Sequence, residues 1–166
     1  MAKPIKLKTH RVLMRAPCEM VFQKMSSFGR GRLKGDDSES SRVISKDGNR
    51  LVVEFKTKVG LFTYTTLEEI VLDPPESITF NHLKGPLHYA REQFTFKDVD
   101  GDTELTHVGE FIWNRIPIIG WFGGMVYTRP MFERSIERHM EQIQESCEAR
   151  AQRSHVFPGR QAAKPE

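Results

Sequence analysis

From residue 41 to residue 113 the chain repeats one pattern, a run of alternating apolar and polar residues followed by a short separator suited to a tight turn. The separators Asp47-Gly48-Asn49, Gly60, Asp73-Pro74-Pro75, Lys84-Gly85-Pro86 and Asp100-Gly101-Asp102 bound runs near 41–46, 50–59, 62–72, 77–84, 87–98 and 103–113. Their residues tolerate turn dihedrals, and connections this short join antiparallel neighbours. In "RLVVEFKTKV", Leu51, Val53, Phe55, Thr57 and Val59 alternate with Val52, Glu54, Lys56 and Lys58, so one face of the sheet is dry and the other wet. A dry sheet face has to be covered.

The cover is legible in the C-terminal third. Met125, Phe132, Ile136, Met140, Ile143 and Cys147 recur three, four or seven residues apart, while Glu133, Arg134, Glu137, Arg138, Glu141 and Glu145 take the other face, the pattern of a long amphipathic helix. Pro130 either opens that helix after a Thr128 cap or kinks one that begins near Gly120; proline is tolerated in a first turn and disruptive later. Ahead of the repeat, "IKLKTHRVLMR" at 5–15 reads as a strand, Ala16-Pro17 as a helix start, and Val21, Phe22, Met25 and Phe28 as one face of a short helix. The expected class is α+β, with seven antiparallel strands curved around a long final helix. One domain is expected over 1–151; residues 152–166, "QRSHVFPGRQAAKPE", lose the period and read as a loose tail.

Composition narrows the partners. Hydrophobic residues make up 38% of the 166, enough for a packed core. The 25 Lys and Arg are nearly matched by 22 Asp and Glu, a balance unlike that of a nucleic-acid surface, and none is expected to bind. Cys18 and Cys147 form no CxxC, and no apolar run follows the basic start Met1 to Lys8, so a reducing cytoplasm is the expected setting. The apolar stretch 111–127 is broken by Asn114, Arg115 and Pro117 and falls short of the roughly 20 residues a spanning helix needs. His82, His88, His107 and His139 lack metal-ligand spacing, and neither metal nor cofactor is expected.

Three local stretches carry a resemblance: "RAPCEMVF" at 15–22, "LDPPESITF" at 72–80 and "DGDTELTH" at 100–107. With the order of elements, the chain from Thr9 to Ala149 resembles the helix-grip fold of the START-like, Bet v 1-like superfamily, which includes polyketide cyclases and aromatases, lipid-transfer domains and coenzyme Q-binding proteins. The resemblance implies a cavity between sheet and long helix. It would accept an apolar or amphipathic small molecule such as a lipid, quinone or polyketide, and in a minority of members it supports cyclisation or dehydration.

On that expectation the inward residues become candidates. "HYAREQFTF" sets Glu92 on the face of Ala90, Phe94 and Phe96, and "ELTHVGEFIW" sets His107 on the face of Leu105, Gly109, Phe111 and Trp113. A carboxylate and an imidazole among apolar side chains suit general acid–base exchange, or they satisfy each other. Phe55, Tyr64, Phe80, His82, Phe94 and Phe111 from the sheet are the expected lining, with Arg129, Phe132, Ile136 and Met140 from the helix. An inward Arg129 would seek a carboxylate, either Glu92 or one on a ligand, or else reach out to water.

Two further segments stand at the expected mouth. "SSFGRGRLKGDD" interleaves Arg30, Arg32 and Lys34 with three glycines; a helix precedes it and Gly35 follows Lys34, so it is read as a flap at the portal and not as a phosphate cradle. "IPIIGWFGGMVY" at 116–127 gathers Trp121 with other large apolar residues, suited to a transient bilayer contact, an oligomer contact or packing against the helix. Monomer and homodimer both remain open.

Overall fold

The turn chemistry read above sets the register of the whole sheet. Asp100 and Gly101 both have positive φ (56° and 90°) and join Val99 to Asp102 in a two-residue hairpin, the geometry that matches the right-handed twist of flanking strands. The computed structural model describes residues 3–29, 39–59, 61–113 and 121–156. Its elements are β1 (Ile5–Lys6), β2 (His10–Met14), α1 (Cys18–Met25), β3 (Glu39–Asp47), β4 (Arg50–Val59), β5 (Phe62–Asp73), β6 (Ser77–Lys84), β7 (Tyr89–Val99), β8 (Asp102–Ile112) and, after a π turn over Gly124–Thr128, α2 (Arg129–Val156).

The strands form one curved, unclosed antiparallel sheet in the order β1-β8-β7-β6-β5-β4-β3, with β2 beside β1 on the same edge of β8. The eighth strand comes from a division of the expected first one. Ile5 pairs with Phe111 and Lys6 with Glu110, but His10 pairs with His107, so one extra residue enters β8's partner between Lys6 and His10. Such a bulge frees a backbone amide, and the Lys8 N–H is taken by Glu133 Oε1 of α2 at 2.7 Å. Further register shifts fall between Val43 and Ser45 in β3 and between Leu67 and Glu68 in β5.

α2 buries Ile136, Met140, Ile143, Cys147 and Ala151, four, three, four and four residues apart, against the concave face. Its helical backbone continues to Val156, past the boundary expected at 151. Pro130 does not open the helical run, which is already under way ahead of it: a widened turn precedes it, with the Arg129 N–H donating to the Gly124 carbonyl. Proline has no N–H and crowds the carbonyl four residues back, which a π turn accommodates. α1 buries Val21, Phe22 and Met25, with Phe22 edge-on to Phe96 at 5.3 Å. No helix among the described residues is long and apolar enough to cross a membrane.

Gly124 is where the turn meets the sheet. A Cβ there would lie 2.5 Å from Ile5 Cδ1 and 3.3 Å from Phe111 Cε2. Gly124→Ala is accordingly expected to destabilise the fold by about 1–3 kcal/mol, the usual effect of overpacking a closed core, as a fall in the urea midpoint at constant slope.

Candidate functional site

The concave face carries a row of rings that crosses the sheet. Phe28, just after α1, meets Phe55 of β4 and Phe80 of β6, each at 6.0 Å; Phe80 meets Phe94 at 5.9 Å, and Phe94 lies 4.6 Å from the His107 ring. Packing along this row is uneven. Phe94, Phe111, Ile136 and Met140 are buried, whereas Phe55, Phe80, Trp113, Met125 and Phe132 pack on the core and keep part of their surface open. Phe111 and Phe132 stack nearly parallel, 3° apart, joining sheet to helix.

Beside this row lies the pair expected from sequence. Glu92 Oε2 is 2.8 Å from His107 Nε2; His107 is fully buried and the Glu92 side chain is 18% exposed. The hairpin register brings them together, since Phe94 faces His107 and Glu92 faces Gly109. Gly109 makes the contact possible: a Cβ there would stand 3.2 Å from Glu92 Cγ and 3.0 Å from Leu7 Cδ1. The carboxylate thus leans across a residue with no side chain and reaches the imidazole two pairs along.

A second histidine was not foreseen. His10 faces His107 across the β2–β8 ladder with ring centres 6.4 Å apart, and its Nδ1 lies 3.5 Å from Glu137 Oε1 of α2. Strict alternation from Ile5 and Leu7 would turn His10 outward; the bulge reverses the parity.

The remaining candidates divide. His82 stands opposite Glu68 at the other end of the concave face, and its Nε2 donates to the Leu87 carbonyl at 3.1 Å. Burial pushes its pKa below the ordinary 6.5, and the bond to Leu87 offsets this only in part. The folded state therefore binds fewer protons than the unfolded chain, and stability falls as pH drops below 6.5 toward the lowered folded value. His82→Gln is expected to flatten the melting temperature between about pH 7 and pH 5, the span over which an imidazole titrates.

Tyr64 lies on the same face at the rim, 40% exposed. Arg129 finds its carboxylate on its own helix: Nε donates to Glu133 Oε1 at 2.9 Å, which answers the choice between Glu92 and solvent with neither. A partner four residues away is reached without crossing the groove. Burial would raise the Glu133 pKa, but the Arg129 guanidinium and the Lys8 amide outweigh it and hold the carboxyl below its usual range. Trp121 is 49% exposed, beside Phe122, Val126 and Tyr127. Arg30, Arg32 and Lys34 lie outside the described residues, as do 116–120. A separate open groove of about 610 Å³ runs between Cys18 of α1 and Asp73, Glu76, Lys97 and Asp98 at the sheet's end, and none of the expected lining belongs to it.

An unclosed antiparallel sheet wrapped on a long C-terminal helix is the helix-grip fold of START-like and Bet v 1-like proteins. Solved structures bear this out. An aromatase/cyclase from Streptomyces superposes with a TM-score of 0.71 at 18% identity, over 95% of this chain and 99% of that one. Ara h 8.0201 gives 0.62 at 11% identity, over 90% and 98%. A START superfamily protein from Mycobacterium smegmatis gives 0.61 at 13% identity, over 90% and 99%. No family model matches the chain, and no curated protein matches it in sequence.

Proposed function

We propose that this chain binds an apolar or amphipathic small molecule between the concave face and the first half of α2, with Glu92 at the polar end of the site. The observation that carries the reading is the unevenness of the core: rings of Phe55, Phe80, Trp113 and Phe132 stay partly open beside a closed layer of Phe94, Phe111 and Met140. Open aromatic surface next to an ionisable group is what an amphipathic guest completes. Covering about 200 Å² of it would contribute about 5 kcal/mol before ordering costs. Proteins sharing the fold include an aromatase/cyclase and a START superfamily protein, and an aromatic or polyketide-like guest suits this reading as well as a lipid or quinone.

The Glu92–His107 contact favours a second reading, in which the same site exchanges protons with a bound polyketide-like molecule as a cyclase or dehydratase does. Glu92 reaches the site and His107 stands behind it. Turnover that survives Glu92→Ala combined with His107→Ala would remove this reading.

Binding is tested by native mass spectrometry against fatty acids, quinones and polycyclic phenols. A one-to-one adduct is expected with at least one class, weakened roughly tenfold or more by Phe80→Asp, since each 1.4 kcal/mol is a factor of ten. Absence of any adduct across the panel would overturn the proposal.

A further inference from the structure

Charge at the polar end of the site decides which guests it can hold. Glu92 Oε2 and His107 Nε2 are 2.8 Å apart, and a carboxylate only accepts, so Nε2 carries the proton of that contact. The other ring nitrogen, Nδ1, is buried and meets no hydrogen-bond partner among the described residues. A cationic ring would carry a second N–H there, and a buried charged donor without an acceptor is strongly disfavoured. The ring is therefore neutral, and the pair keeps the whole negative charge of the carboxylate.

Among the described residues, the basic groups expected to line the site do not answer that charge. Arg129, expected to hold a ligand carboxylate, gives Nε to Glu133 Oε1 at 2.9 Å, and its Nη1 lies against Met125 Sδ at 3.9 Å. At the other end of the concave face Glu68 accepts from Thr66 Oγ1 at 3.1 Å, and His82 opposite it gives its N–H to the Leu87 carbonyl. Burial holds His82 below its ordinary 6.5, so at neutral pH it brings no positive charge.

A negative guest end placed at Glu92 would meet like charge in a part-buried setting, where repulsion is screened far less than in water. A hydroxyl placed there donates to an ionised acceptor, the stronger class of hydrogen bond. The Glu92 side chain keeps 18% of its surface open, and its neighbour across the β6–β7 ladder is Phe80, one of the half-open rings. We infer that this end of the site selects a neutral aromatic or polyketide-like molecule by a phenol or enol hydroxyl donated to Glu92, and excludes amphiphiles that end in a carboxylate or phosphate. This selectivity rests on the concave face being a binding site, and it runs against the ligand carboxylate expected at Arg129.

The test is isothermal titration calorimetry of the intact protein at about pH 7 with a naphthol, its methyl ether and the corresponding naphthoate; a phenol keeps its proton at that pH and a carboxylic acid has lost it. The naphthol is expected to bind at least about tenfold tighter than the ether, the usual contribution of a hydrogen bond to a charged acceptor. It is expected to bind at least about thirtyfold tighter than the naphthoate, which meets like charge at the same place. In Glu92→Gln, whose amide is uncharged and can donate as well as accept, the gap between naphthol and naphthoate is expected to close to about threefold or less. Should that variant fail to fold, the order of the three guests on the unaltered protein still decides. Nitrogen-15 NMR without a guest is expected to show His107 neutral, with its proton on Nε2. Naphthoate or ether binding as tightly as naphthol, an undiminished gap in Glu92→Gln, or a His107 protonated on Nδ1 would overturn the selectivity and leave binding itself standing. Binding of none of the three would overturn both.

Discussion

Replacing Phe111 by alanine will remove about 3–5 kcal/mol of stability, the range for a fully buried aromatic whose cavity cannot collapse. Phe111 is 0% exposed, pairs with Ile5 across β1, faces Ala90 on β7 and stacks on Phe132 of α2. It touches every layer that meets at this end of the sheet. For a chain of this length the loss corresponds to a melting point lower by roughly 10 °C, and denaturant curves should show the midpoint shifted with the slope unchanged. Phe111→Leu, which keeps most of the volume, is expected to lose less than half as much; equal losses for the two variants would mean the ring stack and not burial sets the value.

Glu92→Leu will destabilise by about 1–3 kcal/mol because it strands the buried Nε2 proton of His107, and His107→Phe added to it will restore most of that loss. The two partners are not equivalent. Glu92 keeps some contact with solvent when its partner goes, whereas His107, with no exposed surface, has no replacement acceptor. A double-mutant cycle read by urea denaturation should give a coupling of about 0.5–3 kcal/mol; strict additivity would show that the 2.8 Å contact contributes nothing.

Much of this was readable from the chain because the physics is local. The face of Glu92 and His107 follows from alternation with Phe94, Phe96, Leu105 and Phe111, and their meeting follows from the Asp100-Gly101 hairpin, whose two positive-φ residues fix Phe94 opposite His107. The spacing of Ile136, Met140, Ile143 and Cys147 named the buried stripe of α2 for the same reason. His10 was hidden by a bulge that no composition signals: Ile5 and Leu7 point inward at odd positions, and Val12 and Met14 at even ones. A change of parity within one run is the signal that would have revealed it. Glu133 and Glu137 read as solvated helix residues because their roles, holding the Lys8 amide and the His10 ring, depend on where α2 crosses β2, a tertiary fact. Arg129 is held by a glutamate one turn along, a pairing visible in the sequence once the helix is known to include it.

The half-open aromatic face is proposed as the seat of a guest. Chemical-shift mapping during titration with an amphipathic aromatic such as a naphthol tests it most directly. Saturable shifts centred on Phe80, Phe132 and Ile136 are expected, with Glu92 perturbed by the hydroxyl end. Shifts confined to the exposed strip of Trp121, Phe122 and Tyr127, or none at all, would contradict it.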